Sequence, residues 1–352
     1  MEKLEIVANF DIGKVKKITP VTVGHINSTF LVEGDNNYIL QKINKNIFKT
    51  PTHVLENFAK ISRHLENKLK DLPDFKRRYV TSFKTAEKKD HFKDGKGDYW
   101  RLLNYQEDTK NLDHSSTAIQ SFEAAKAYGL FQKLFLDFNP QDLHITIANF
   151  HNPIKRFEEY ERALTKAVDG RADKCLWEQE YVSKNKSLVD SFNKLKENIP
   201  LRVVHNDAKL SNVLFDKESG EGLCVIDLDT VMPGYVFFDF GDLVRSMAGP
   251  REDERDFAKI VIDPEKFRAL AKGYLHHTKE FLTKEEREHL LFGAKLIIYL
   301  LGMRFLTDFL NGDKYFKTEY SDHNLVRAQN QFKLLSSLLN QEKVLEEILC
   351  SI

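Results

Sequence analysis

The stretch Val203–Thr230, VVHNDAKLSNVLFDKESGEGLCVIDLDT, decides the reading of this chain. Two short apolar runs, Val213-Leu214-Phe215 and Leu223-Cys224-Val225-Ile226, flank the polar turn from Asp216 to Gly222 and predict a β-hairpin. A histidine-led loop, His205-Asn206-Asp207, precedes the hairpin, and two aspartates, Asp227 and Asp229, follow it. The order is loop, hairpin, acid.

Phosphoryl transfer explains that order. The reaction needs an oriented acceptor hydroxyl, a cation held against the phosphates, and neutralisation of the charge on the moving group. Protein kinases place an aspartate, a lysine two positions on and an asparagine five positions on in such a loop, with a metal-binding aspartate after the next strand pair. Asp207, Lys209, Asn212 and Asp227 stand at those spacings. Asp207 is expected to accept the hydroxyl proton and Lys209 to face the γ-phosphate, with Asn212 and Asp227 giving Mg²⁺ the oxygen donors it prefers. Asp229 is a second metal or substrate candidate, because it points the same way if the strand continues past Ile226.

The 352 residues suit two lobes better than one compact core. Lys plus Arg and Asp plus Glu balance at 53 each, so no net field recruits nucleic acid or an anionic membrane, and the expected partner is a small molecule. Three widely spaced cysteines, Cys175, Cys224 and Cys350, argue against a disulfide framework or structural zinc, and with no signal-like run at the N-terminus they favour a cytoplasmic protein. Leu290–Leu306 is long and apolar, but Lys295 and Arg304 interrupt it, so it reads as a core helix of the larger lobe.

Upstream of the central stretch, residues 7–18 read as an N-terminal helix. VTVGHINSTFLVEGDNNYILQKIN then reads as three strands with tight turns at Gly24 and at Gly34–Asn37. The first turn, with Gly24, His25 and Asn27, is the candidate phosphate-covering loop. Lys42, at the end of the third strand, takes the place of the kinase strand lysine, and Glu56, early in the Pro51–Leu69 helix, is its expected partner. Residues 79–85 and 99–105 read as two further strands. Backbone groups from Leu103 to Gln106, at the passage between lobes, are candidates for adenine contacts. Helical periodicity dominates from residue 115 onward, with Ile119 on the apolar face and His144 and His151 in a connector as structural or solvent-facing groups. Asp239 and Arg245 are candidate braces for the catalytic loop, and Arg304 and Asp308, among aromatics, suit a polar ring-shaped ligand.

The fold class expected is α+β, a protein-kinase-like bilobal fold. Residues 1–103 form a small antiparallel nucleotide-binding lobe with a helix, and residues 104–352 a larger, mostly helical catalytic and substrate lobe. HNDAKLSNVLFD, VIDLDTVMPG and FDFGDLVR resemble the aminoglycoside-phosphotransferase-like kinases, and with GMRFLTDFLNGDKYF they resemble the N-acetylhexosamine 1-kinase group within them. That resemblance implies ATP and Mg²⁺ as cosubstrates and a γ-phosphate transferred to the anomeric hydroxyl of an N-acetylhexosamine. It carries over Asp207 as base, Lys209 as phosphate contact, Asn212 and Asp227 as metal ligands, Gly24, His25 and Asn27 as a loop over phosphates and sugar, and Arg304 as a sugar contact. The group often has a hydroxyl residue where this chain has Ala208 and an asparagine where it has Ser211. A kinase of another small alcohol (homoserine, a choline-like acceptor or an aminoglycoside) and a nucleotide-binding regulator without transfer are the alternatives. Oligomeric state is not set by the sequence.

Overall fold

The structure is a computed structural model and describes residues 2–21, 26–112 and 117–352. Helix α1 (Glu2–Val7) leads into a five-stranded antiparallel sheet of β1 (Val15–Val21), β2 (Ser28–Gly34), β3 (Tyr38–Lys42), β4 (Phe92–Lys93) and β5 (Tyr99–Asn104), in the order β1-β2-β3-β5-β4. The helix expected over residues 7–18 does not form: α1 ends at Val7, where that segment begins, and the segment runs into β1. Val15, Lys17 and Thr19 pair with β2 instead, because β-branched residues in the segment favour a pleated edge. Helix α2 (Pro51–Leu69) crosses one face of the sheet. Pro51 opens it at the first helical position, as expected, but Thr50 makes no side-chain cap. The segment 79–85 does not form a strand. It touches the sheet only through single bridges, Ser82 to Leu103 and Thr85 to Phe10.

After β5 the chain passes into the helical part. A second small sheet orders β6 (Thr109–Asn111) beside β8 (Val213–Asp216) and β9 (Gly222–Val225), and β7 (Arg202–Val204) pairs with β10 (Met232–Gly234). The predicted hairpin is β8-β9, with Val213 opposite Val225. Around these strands pack α3 (Ala118–Leu134), α4 (Pro153–Thr165), α5 (Leu176–Lys184), α6 (Ser187–Leu195), α7 (Val236–Leu243), α8 (Pro264–Thr278), α9 (Lys284–Glu288), α10 (Leu290–Leu310), α11 (His323–Asn340) and α12 (Glu342–Cys350). Ile119 is 77% exposed at the start of α3, so it does not belong to the apolar face. Thr283 and Glu286 form a capping box on the short α9, and His289 separates that helix from α10.

Helix α10 is the buried core helix expected, and it packs against α4, α7 and α11. Where α7 crosses it, a Cβ on Gly241 would strike the Gly293 carbonyl, so the close crossing requires glycine. That approach seats α7, with Asp239 and Asp242, beneath the catalytic loop. The main core also takes in Phe58, Ile61, Leu65 and Leu69 of α2, which binds the sheet to the helical part.

Candidate active site

The catalytic loop, His205–Asn212, is held from below by buried Asp239. Its carboxylate accepts from the His205 N–H at 2.8 Å, the Asn206 N–H at 2.7 Å and the Gln132 amide at 2.9 Å. Burial nevertheless raises its pKa to about 6, against the lowering effect of the His205 and Asn206 donors. Asn206 adopts a left-handed backbone, φ 63°, which asparagine tolerates. Its side chain donates to the Thr230 carbonyl at 3.0 Å, tying the loop to the aspartate turn. His205 donates from Nε2 to the Ile226 carbonyl at 2.9 Å, while its Nδ1 accepts from the Asp207 N–H at 3.3 Å. Those partners assign the Nε2–H tautomer.

On that platform stand the candidate reactive groups. Lys209 Nζ donates to Asp207 Oδ2 at 2.9 Å, and Asn212 Nδ2 donates to the same oxygen at 3.0 Å. Burial pushes the Asp207 pKa up, but Lys209 and Arg245 outweigh it and bring the carboxyl to about 2. Burial works against the Lys209 charge as well, and the attraction of Asp207 and Asp227 reverses that and raises its pKa. Tyr128, from α3, fixes the Lys209 backbone: its hydroxyl donates to the carbonyl at 3.1 Å and lies 3.2 Å from the N–H.

Asp227 also has a left-handed backbone, φ 60°, and its pKa is raised to about 7 by withdrawal from water and by the charges of Asp229 and Asp207. The Asn212 amide nitrogen is committed to Asp207, so its oxygen is what it can offer a cation. Among the described residues no cluster of three Asp, Glu, His or Cys forms a metal cage. An asparagine and an aspartate short of negative-charge relief suit Mg²⁺, which takes one or two protein ligands and completes its shell from phosphates and water.

Three expectations need correction. The β9 strand ends at Val225, and Leu228–Thr230 is a 3₁₀ turn, so Asp229 does not point with Asp227. Its oxygens lie 2.7 Å from Arg101 Nη1 and 2.6 Å from Asn27 Nδ2. Lys42 and Glu56 do not pair: Lys42 reaches Asp98 at 3.4 Å, and Glu56 meets His144 at 2.7 Å. Alternation along β3 puts Tyr38, Leu40 and Lys42 on the face shared with Trp100, away from α2, and leaves Ile39 and Gln41 towards the cleft. Asp308 borders the cavity beside Arg304 but is buried and is not a free acid. It accepts from the N–H groups of Lys314, Tyr315 and Phe316 and from Asn324, all between 2.8 and 3.0 Å. It anchors the loop after α10.

The other candidates sort as follows. Gly24 and His25 lie outside the described residues. Asn27 binds Asp229 and accepts from the Asn44 N–H at 3.0 Å. Leu103 sits opposite Ile39 in the sheet, and buried Gln106 donates its side chain to the Tyr79 carbonyl while its own carbonyl accepts from Thr109. Arg245 pairs with Asp242 at 2.7 Å in a buried turn that is felt at Asp207, whereas the brace itself is Asp239.

Arg304, half-buried on α10, lies over the rings of Phe150, Tyr315 and Phe316 at 5.0, 5.6 and 5.4 Å from their centroids. Withdrawal from water lowers its pKa, and Asp207 acts in the opposite sense, which places the guanidinium within electrostatic reach of that carboxylate. It opens on a cavity of about 170 Å³ that Arg156, Glu159, Thr307 and Asn311 also line. His151 connects this wall to the loop. It packs on Phe150 and Phe238, contacts the Asn206 carbonyl at 2.8 Å, and burial holds its pKa down to about 3.

A five-stranded sheet with its helix, a helical part carrying an Asp-Lys-Asn loop, and an aspartate after the hairpin define an α+β, protein-kinase-like bilobal fold. Residues 17–275 match the model of the phosphotransferase enzyme family, APH, and the chain belongs to that family. It is therefore a small-molecule phosphotransferase. Solved structures over nearly the whole length share the fold. A microcompartment-associated aminopropanol kinase has TM-score 0.68 at 15% identity, covering 97% of this chain and 98% of its own. An aminoglycoside phosphotransferase from Alicyclobacillus acidocaldarius has TM-score 0.66 at 12% identity, covering 98% and 96%. A spectinomycin phosphotransferase in complex with ADP and spectinomycin has TM-score 0.61 at 12% identity, covering 97% and 98%.

Proposed function

We propose that the protein transfers the γ-phosphate of ATP, as its Mg²⁺ complex, to a sugar hydroxyl, the anomeric hydroxyl of an N-acetylhexosamine being the acceptor that fits best. Asp207 orients the hydroxyl and takes its proton as the P–O bond forms. With a pKa of about 2 it is ionised throughout the physiological range, so it acts more by orientation than by basicity. Lys209 offsets charge on the moving phosphoryl group. Asn212 and Asp227 would hold Mg²⁺, which would supply charge neutralisation at the phosphates.

Arg304 in its aromatic cage carries the choice of acceptor. Rings around a cation site are what a choline-like or amino-alcohol acceptor requires, and here a guanidinium already fills that place. The nearby acids are committed, Glu159 to Arg156 at 2.7 Å and Asp308 to the loop backbone. A neutral polyol that accepts from arginine and stacks on an aromatic face suits this wall better than an ammonium.

An ADP-release assay with Mg²⁺ and an acceptor panel tests the reading. N-acetylglucosamine or N-acetylgalactosamine is expected to stimulate release well above aminopropanol, choline, homoserine and an aminoglycoside. Preference for any of those others overturns the sugar assignment.

A further inference from the structure

The expected strand lysine faces the wrong side of the sheet, and the expected helix glutamate is engaged elsewhere. A cation nevertheless sits where the three elements of that device converge. Arg101 on β5 lies directly across from Gln41 on β3, and its Nε and Nη2 donate to Gln41 Oε1 at 3.0 and 2.7 Å. Its guanidinium lies 4.5 Å from the ring centroid of Phe58 on α2. Its Nη1 stands 2.7 Å from Asp229 Oδ1, with both side chains only 1% exposed. The other Asp229 oxygen accepts from Asn27 at 2.6 Å, and the Asp229 carbonyl accepts from the Thr146 hydroxyl at 2.8 Å. Asn27 is secured in turn, since its oxygen accepts from the Asn44 N–H and the Asn44 amide donates to the Ile26 carbonyl.

We infer that Arg101, Asp229 and Asn27 form a clasp that takes the place of the lysine–glutamate pair. The clasp joins β3, β5, α2 and the segment entering β2 to the turn that carries Asp227, and so sets the direction of the metal-binding carboxylate. The inference rests on the kinase reading. In the usual arrangement a strand cation and a helix acid pair within the nucleotide lobe. Here the cation moves to the neighbouring strand and the acid comes from the turn two residues after the metal ligand. Arg101 Nη1 and Asp229 Oδ1 meet as charges without a directed hydrogen bond, and a buried ion pair of that kind adds little stability while it can hold one arrangement. Arg101 and Asp229 do not touch the nucleotide in this account; they are positioning residues.

The test is calorimetric affinity for ATP with and without Mg²⁺, alongside thermal melting, on the full chain. Wild type is expected to bind ATP more tightly when Mg²⁺ accompanies it. Asp229→Asn is expected to lose at least tenfold of that Mg²⁺-dependent gain. Removing one partner of a buried pair leaves a charge uncompensated, so this variant also melts lower. The double variant Arg101→Met/Asp229→Leu replaces the pair by apolar side chains, recovers most of the melting temperature, and still lacks the gain. Asn27→Ala, which leaves the ion pair intact, is expected to lose about threefold. A double variant that regains both the melting temperature and the Mg²⁺-dependent gain overturns the clasp and makes the pair purely structural. An Asn27→Ala variant with wild-type affinity removes the loop from it. A wild-type protein that binds no nucleotide at all contradicts the kinase reading itself.

Discussion

The catalytic loop is fixed by contacts from every side: Asp239 below, Tyr128 on the Lys209 backbone, Asn206 on Thr230 and His205 on Ile226. The acceptor wall has a different construction. Asp308 pins the backbone of its loop, but Arg304 is placed by three ring faces and by one contact to the Tyr315 hydroxyl at 3.5 Å, with Tyr315 itself 47% exposed. On the proposed reading, directional bonds would fix where the phosphate is transferred, whereas ring faces tolerate sliding and would fix only the kind of acceptor. The chemistry is preorganised and the selectivity is adjustable.

Breaking the rigid side has the largest expected effect. Asp207→Asn keeps the shape of the side chain and removes the acceptor for the hydroxyl proton, so kcat falls by about 10²–10⁴, and because it takes the ion-pair partner from Lys209 the variant also melts lower. Circular dichroism and the ADP-release assay together check this. Asp227→Asn is expected to abolish Mg²⁺-dependent turnover while raising the melting temperature of the metal-free protein at pH 8. The sign follows from linkage: the folded-state pKa of Asp227 is raised to about 7, so its contribution is fully present below the unfolded carboxyl value near 4 and is lost as pH rises through about 7. The share of stability that Asp227 contributes in the metal-free protein is therefore lost from about pH 4 to pH 7, and the difference between the wild-type and asparagine-variant melting curves against pH isolates it.

Perturbing the adjustable side has a smaller and more selective effect. Arg304→Met removes a charged donor worth about 1.5–3 kcal/mol, so kcat/KM for an N-acetylhexosamine falls by about 10- to 100-fold. The emptied aromatic cage then accepts choline better than wild type does. Steady-state kinetics on both acceptors separates a lost contact from a collapsed site. Smallest of all is Lys42→Met, which is expected to change the KM for ATP by less than about twofold, because Lys42 stands on the far face of the sheet beside Trp100.

Much of the rigid side was legible in the sequence because it is contiguous. The spacing of Asp207, Lys209, Asn212 and Asp227 around one hairpin specifies both the turn and the chemistry, and Asp239 was readable as a brace from its short distance downstream. What escaped notice lies far along the chain or turns on one residue of register. Lys42 and Gln41 are equally plausible from composition, and only the pairing of Gln41 with Arg101 shows which one faces the cleft. The chirality of Asp227 ended the strand reading, so Asp229 turned to partners 128 and 202 residues away, Arg101 and Asn27. Asp308 looked like a ligand because a carboxylate among aromatics has that composition, and four donors from the following loop and α11 use up its oxygens. A glycine, aspartate and asparagine cluster at Asn311–Asp313, typical of a loop needing an anchor, was the available signal for that role.

The most direct measurement is phosphorus NMR of the product formed from ATP, Mg²⁺ and an N-acetylhexosamine. A phosphomonoester resonance coupled to the anomeric proton is expected, forming at least about 10²-fold more slowly with Asp207→Asn. A spectrum with no phosphosugar, together with a phosphomonoester formed only from an amino alcohol, would contradict it.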